Sequence, residues 1–199
     1  MRIAAENIAC ERGGRNVFSN LSFTVGSGEF LQLTGPNGTG KSSLLRLIAN
    51  LGEPGSGHIE LDGGEPDLTL AQQAHYIAHA DASKSALTVT ENLKFWQGFL
   101  GGGEIKPALA ALNLVPLAGF PVALLSAGQK RRVALARLVL VPRSIWLLDE
   151  PSVGLDEASQ GLLVALMRQH LKAQGIIIAA THVALGLVPD RNVALGSRP

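Results

Sequence analysis

Cysteine is almost missing from this chain of 199 residues: Cys10 stands alone, so no internal disulfide can form. A reduced, cytosolic setting is the simple expectation. Aromatics make up only 5% of the residues and the net charge is +1. No strong field is available to recruit nucleic acid, and no aromatics are interleaved with the basic residues as a strand-binding groove requires. Long apolar spans are missing as well. Pro116, Gly119 and Pro121 break the uncharged stretch 107–129, and Thr181, His182 and Gly186 interrupt 173–189. The breaks exclude a spanning helix in the first, and the second also falls short of the roughly 20 apolar residues that one needs. Near the start, Glu6 and Asn7 stand where a signal peptide needs its apolar core. Any membrane role is expected to come through a partner. No repeat or linker divides the chain, and its length suits one core rather than two domains.

What the chain does contain begins with Gly35-Pro36-Asn37-Gly38-Thr39-Gly40-Lys41-Ser42, followed by Ser43. Phe30-Leu31-Gln32-Leu33-Thr34 upstream reads as a short strand, and Leu44, Leu45, Leu47 and Ile48 downstream repeat at helical spacing. Strand, glycine-rich turn and helix is the setting in which this pattern marks a phosphate-binding loop. Glycine lets the backbone wrap an anion with its N–H groups turned inward, and the helix adds the positive end of its dipole. Lys41 is expected to reach the β- and γ-phosphates, and the Ser42 hydroxyl to ligate Mg²⁺. The chain is thus expected to bind a nucleoside triphosphate.

Ile145-Trp146-Leu147-Leu148 is a buried-strand pattern ending in Asp149 and Glu150. Asp149 is the candidate Mg²⁺ carboxylate, and Glu150 the group that orients and deprotonates water. Leu125-Ser126-Ala127-Gly128-Gln129 opens a helix read over 129–141 and stopped by Pro142. Its free N–H groups and the Ser126 hydroxyl are expected to point outward as a second anion site. Lys130, Arg131 and Arg132 read as a solvated basic face. His58, His75, His79 and His170 show no metal-ligand spacing, so no zinc is expected. Other strands are expected at 3–10, 21–25, 58–61, 76–78 and 176–180, and helices at 90–100, 105–114 and 157–171. Asp62-Gly63-Gly64 reads as a hairpin turn.

Taken in order, Gly35 to Ser42, Leu125 to Gln129 and Leu147 to Glu150 resemble the ATP-binding subunits of ABC transporters. His182 is similar in position to that family's switch histidine, and Gly154-Leu155-Asp156 to its D-loop. The resemblance implies an α/β fold. The fold it implies is a P-loop NTPase with a RecA-like core (1–82 and 143–199), an N-terminal antiparallel β layer and an inserted helical subdomain at about 83–142, all one nucleotide-binding domain. It implies ATP and Mg²⁺ as ligands, and Glu150 and His182 as the hydrolytic pair. It also implies a homodimer in which Ser126, Gly128 and Gln129 of one copy close on the nucleotide held by Lys41 of the other.

Two positions depart from the family pattern. Arg12 falls where an aromatic normally stacks on adenine; its guanidinium plane, or the ring of Phe18, is the available substitute. His79 falls where a glutamine normally approaches Mg²⁺. The compact length, the 10–15 segment leading to Phe18, Leu-Ser-Ala-Gly-Gln and Trp146 together resemble the CcmA subfamily, the haem exporter ATPases of bacterial cytochrome c maturation. That resemblance implies membrane subunits of the CcmB and CcmC kind and an indirect link to haem and the CcmE chaperone. It also implies a peripheral place on the cytoplasmic face of the bacterial inner membrane. The competing expectation is an ABC subunit serving a different cargo. No Cys-x-x-Cys-His string or axial-ligand pair marks a haem site in the chain itself.

Overall fold

A computed structural model describes residues 1–196. The chain begins as a long hairpin, β1 (Arg2–Arg12) and β2 (Arg15–Gly26), joined by Gly13 and Gly14. Both glycines have positive φ, 56° and 73°, which is what a two-residue hairpin turn of matching twist demands. β4 (Ser56–Asp62) pairs antiparallel with the other edge of β1, giving a three-stranded sheet in the order β2-β1-β4. Asp62-Gly63-Gly64 does not turn a hairpin, contrary to the sequence reading. β4 folds back onto β1, and the next element is a short helix, α2 (Leu70–Gln73). Gly64 lies close under the Gln73 and Leu61 side chains, with a β-carbon on it 2.7 Å from Gln73 Oε1.

The second sheet is parallel throughout, in the order β5-β6-β7-β3-β8. Its strands are β3 (Phe30–Thr34), β5 (Ala74–Ile77), β6 (Ile145–Asp149), β7 (Ile176–Ala180) and β8 (Arg191–Ala194). Every residue of β6 and β7 is buried, as expected of parallel strands covered on both faces. Strand alternation sorts them into two cores. Phe30, Trp146, Leu148, Ile177 and Ala179 face the helices α3 (Val89–Leu100), α4 (Ile105–Ala111), α5 (Ala127–Leu135), α6 (Arg137–Leu140) and α7 (Glu157–Lys172). Leu31, Leu33, Ile145, Leu147, Ile176 and Ile178 face α1 (Lys41–Ile48) and the antiparallel sheet. Each fully buried Leu or Ile on these strands contributes about 1.5–3 kcal/mol.

Helix starts follow local chemistry. Thr88 caps α3 and Ser126 caps α5, each in a reciprocal box with Glu91 or Gln129 three residues on. The single helix read over 129–141 is two, with the join at Ala136, where the Val139 N–H donates to Ala136 O in a tightened turn. There Arg137, itself buried, donates from Nε to Ala134 O and lays its guanidinium 4.3 Å over the Trp96 ring. β3 and β6 both end at the same edge of the parallel sheet, which is where the loop 35–42 and the acids 149–150 emerge. In open parallel sheets this carboxyl edge is the ligand side.

Candidate nucleotide site

The loop between β3 and α1 takes its shape from glycines. Gly35, Gly38 and Gly40 have φ of 133°, 84° and 100°. A β-carbon on Gly35 would collide with Leu195 O, and one on Gly40 would lie 2.6 Å from Val17 Cγ1 and 2.9 Å from Phe18 Cδ1. Lys41, buried at the first turn of α1, folds back over the loop and donates from Nζ to Gly35 O (2.7 Å) and Pro36 O (3.0 Å). Thr39 Oγ1 donates to Pro36 O as well.

At the end of β6, Asp149 is buried and its carboxylate makes no side-chain hydrogen bond to any described residue. Glu150 sits at φ 48°, left-handed backbone that a residue with a β-carbon adopts only under constraint. Its Oε1 lies 2.9 Å from His182 Nδ1, while Oε2 is buried without a partner. His182 follows β7, so the pair joins the ends of adjacent strands. A cleft of about 550 Å³ brings together Arg12, Asn37, Gly38, Gly40, Lys41, Ser42, His79, Asp149, Glu150 and His182. A larger groove of about 1000 Å³ runs past Met1, Gln73, Phe99 and Arg143, but it holds neither the loop nor the acids.

Three expectations change. Phe18 does not line the cleft: it is half-buried and packs against the core cluster under Gly40, while Val17 stands in the wall beside Arg12. The Ser126 hydroxyl is not a free outward group. Its oxygen accepts from the Gln129 N–H at 3.2 Å, and Gln129 Oε1 accepts from the Ser126 N–H at 2.8 Å. The hydroxyl proton and the N–H groups of Ala127 and Gly128 are what the first turn leaves over. Arg131 is not on a solvated face but buried, donating into the backbone around the acids. Period and charge give no sign of that, because the carbonyls it meets are far away in sequence.

Ser126, Gly128 and Gln129 do not line the cleft of their own chain. Gly128 instead fits tightly against Gly154, whose carbonyl oxygen would be 2.5 Å from an added β-carbon. The adjoining Asp156 caps α7 by accepting from the Ser159 N–H at 2.8 Å, and hydrogen bonds from Ser159 hold its carboxyl below the usual range.

The protein-family model described as ABC transporter matches residues 18–153, most of the chain. This chain belongs to the ABC transporter family. Among its curated ABC relatives is the "Cytochrome c biogenesis ATP-binding export protein CcmA" of Nitrobacter winogradskyi, 53% identical over 189 residues and covering 94% of each chain. The protein of the same name from Bradyrhizobium diazoefficiens is 51% identical over 198 residues and covers 98% of each. A solved ATP-binding subunit of an ABC transporter superposes with a TM-score of 0.85 at 26% identity, over 98% of this chain and 86% of that one. The two-sheet architecture with helices between β5 and β6 is thus that of an ABC ATPase domain.

Proposed function

We propose that the chain is the ATP-hydrolysing subunit of an export complex for cytochrome c maturation, with haem the cargo its activity serves. The observation that carries the ATPase reading is the Glu150–His182 pair at 2.9 Å in the same cleft as Lys41 and the glycine loop. The export role is supported by the CcmA relatives at about half identity over nearly the full chain.

ATP binds with its phosphates against the loop 35–42. Lys41 Nζ exchanges its two carbonyl partners for phosphate oxygens, and the α1 dipole adds to the attraction. Ser42 and Asp149 are the residues that would hold Mg²⁺. A hydroxyl and an unpartnered carboxylate, completed by phosphate and water, suit this hard cation. The imidazole of His79, which lines the same cleft, is a poor ligand for such an ion and would meet it only through water. When bound, the ion neutralises charge on the phosphates. Glu150, aligned by His182, takes a proton from water as its oxygen attacks the γ-phosphorus; ADP leaves with the electrons of the broken P–O bond, giving phosphate. With Nδ1 giving its proton to Glu150, the remaining nitrogen of His182 faces the γ-phosphate and donates to it only in the imidazolium form, and Arg12 stacks against the base from the hairpin tip.

A protomer holds only part of this site, because Ser126, Gly128 and Gln129 lie outside its own cleft. Two copies packed head to tail complete it, each presenting the start of α5 to the other's γ-phosphate. Among the described residues no helix is long and apolar enough to cross a membrane. Export therefore requires membrane subunits, of the CcmB and CcmC kind, on the cytoplasmic face of the inner membrane, with CcmE downstream. The test is Glu150→Gln. Turnover falls by roughly 10²–10⁴-fold, the range for a lost general base, and an ATP-bound dimer accumulates on gel filtration. Unchanged hydrolysis refutes the site. Normal c-type cytochrome formation in a deletion strain refutes the export role and leaves the ATPase standing.

A further inference from the structure

Arg131 lies in the second turn of α5 with only 4% of its side chain exposed. A guanidinium has five N–H donors in a rigid plane, and here all five are spent. Nη1 donates to Ala78 O (2.7 Å) and Asp81 Oδ1 (3.0 Å), Nη2 to Asp149 O (2.8 Å) and Glu150 O (2.9 Å), and Nε to Pro151 O (3.2 Å). One planar group thereby joins three segments distant in sequence: α5, the loop after β5 that carries His79, and the turn after β6 that carries both acids. Three consecutive carbonyls of that turn converge on it.

We propose that Arg131 is the positioning residue that holds Glu150 in its reactive orientation and couples it to the start of α5; this rests on the reading of Glu150 as the general base. The backbone at Glu150 sits at φ 48° and is pinned from the other side only by its N–H donating to Ala180 O at 2.8 Å. Its carbonyl side is held by Arg131, with a longer contact from the Val153 N–H at 3.3 Å. Slackening that side lets the peptide rotate toward ordinary backbone and carries the carboxylate away from His182. The guanidinium also sits on the helix that begins at Ser126, so a tilt of α5 on meeting a second protomer's nucleotide moves the same carbonyls. The shared ion pair with Asp81 extends the link to the His79 loop. Lysine cannot substitute, because three donors on a single nitrogen cannot serve the five acceptors that the planar fork reaches.

The test is a double-mutant cycle on single-turnover hydrolysis of radiolabelled ATP. Arg131→Lys lowers the hydrolysis rate by roughly 10–100-fold, the cost of misplacing a reacting group by about 1 Å. ATP affinity, read with a fluorescent analogue, stays within about twofold, since no contact to the phosphate loop is touched. In the Glu150→Gln background the same change lowers the residual rate no further, because its target is already gone. Asp81→Ala, which removes one of the two contacts of the loop arm at a partly exposed side chain and leaves the Ala78 carbonyl, gives a smaller loss with the same dependence on Glu150. It carries the cycle if Arg131→Lys does not fold. An effect of either variant that is equally large with and without Glu150, or a loss confined to ATP affinity, overturns the proposal. Full turnover in Glu150→Gln alone instead overturns the assignment of the general base.

Discussion

Replacing Gly40 by alanine isolates the contact that sets the phosphate loop against the N-terminal hairpin. The new methyl meets Val17 Cγ1 at 2.6 Å and Phe18 at 2.9 Å, and the backbone there has φ 100°. Holding alanine in left-handed backbone costs about 1–2 kcal/mol. Overpacking against two side chains wedged beneath the loop costs a further ~1–3 kcal/mol. The smaller entropy of the unfolded chain returns about 0.4–1 kcal/mol. The net loss is about 1–5 kcal/mol, which at this chain length lowers the melting temperature by roughly 2–20 °C. Gly38→Ala is the matched control: its φ is 84°, but nothing lies within 4 Å of the added atom. Only the backbone cost applies there, a net of about 0–2 kcal/mol. Circular dichroism melts and ATP titration of both variants separate the steric part from the backbone part. Gly40→Ala melts lower and binds ATP more weakly, and Val17→Ala in the same chain recovers part of the affinity. Equal melting temperatures for the two glycine variants would show that the hairpin does not brace the loop.

Lys41→Ala loses ATP binding by at least 10²-fold in titration, because the ammonium is the side-chain cation meeting the phosphates; retained tight binding removes the lysine from the site. His182→Ala leaves both oxygens of the Glu150 carboxylate without a partner and lowers turnover more than ATP affinity, a split that steady-state kinetics against titration reads directly. Gly128→Ala drives α5 off Gly154, 2.5 Å from the new atom, and weakens ATP-dependent dimerisation in light scattering while monomer nucleotide affinity holds. Acid weakens the fold through His75. Burial, aided by Arg143 and Arg137, lowers its pKa to about 4 despite the 2.6 Å contact with Val141 O. Between about pH 6.5 and 4 the unfolded chain takes up a proton that the native one refuses. Stability is therefore intact above that window and falls with pH inside it, by up to about 1.4 kcal/mol per unit. His75→Gln flattens this slope in urea titrations; an unchanged slope contradicts the assignment.

Much of the site could be read from the chain because its parts are local. The loop 35–42 is bounded by a strand and a helix with plain periodicities, and β6 ends in its acids by simple adjacency. What escaped reading depends on distant neighbours. Arg131 looks like one of three surface cations until carbonyls from two other segments gather round it. Phe18 looks like a spare adenine platform until its ring packs against the core cluster instead of the cleft. β8 has three exposed residues of four and no apolar alternation, so only its pairing with β3 makes it a strand. The left-handed backbone of Glu150 has no signature in sequence, since glutamate rarely adopts it.

The ammonium of Lys41 is already occupied, tied to the carbonyls of Gly35 and Pro36. Two of its three N–H donors are thus occupied by neutral acceptors, and nucleotide capture on the proposed reading trades those contacts for charged ones. Much of the gross attraction is spent cancelling what was there before. Such an exchange favours reversible loading, in which a spent nucleotide can be let go because the lysine always has somewhere to return.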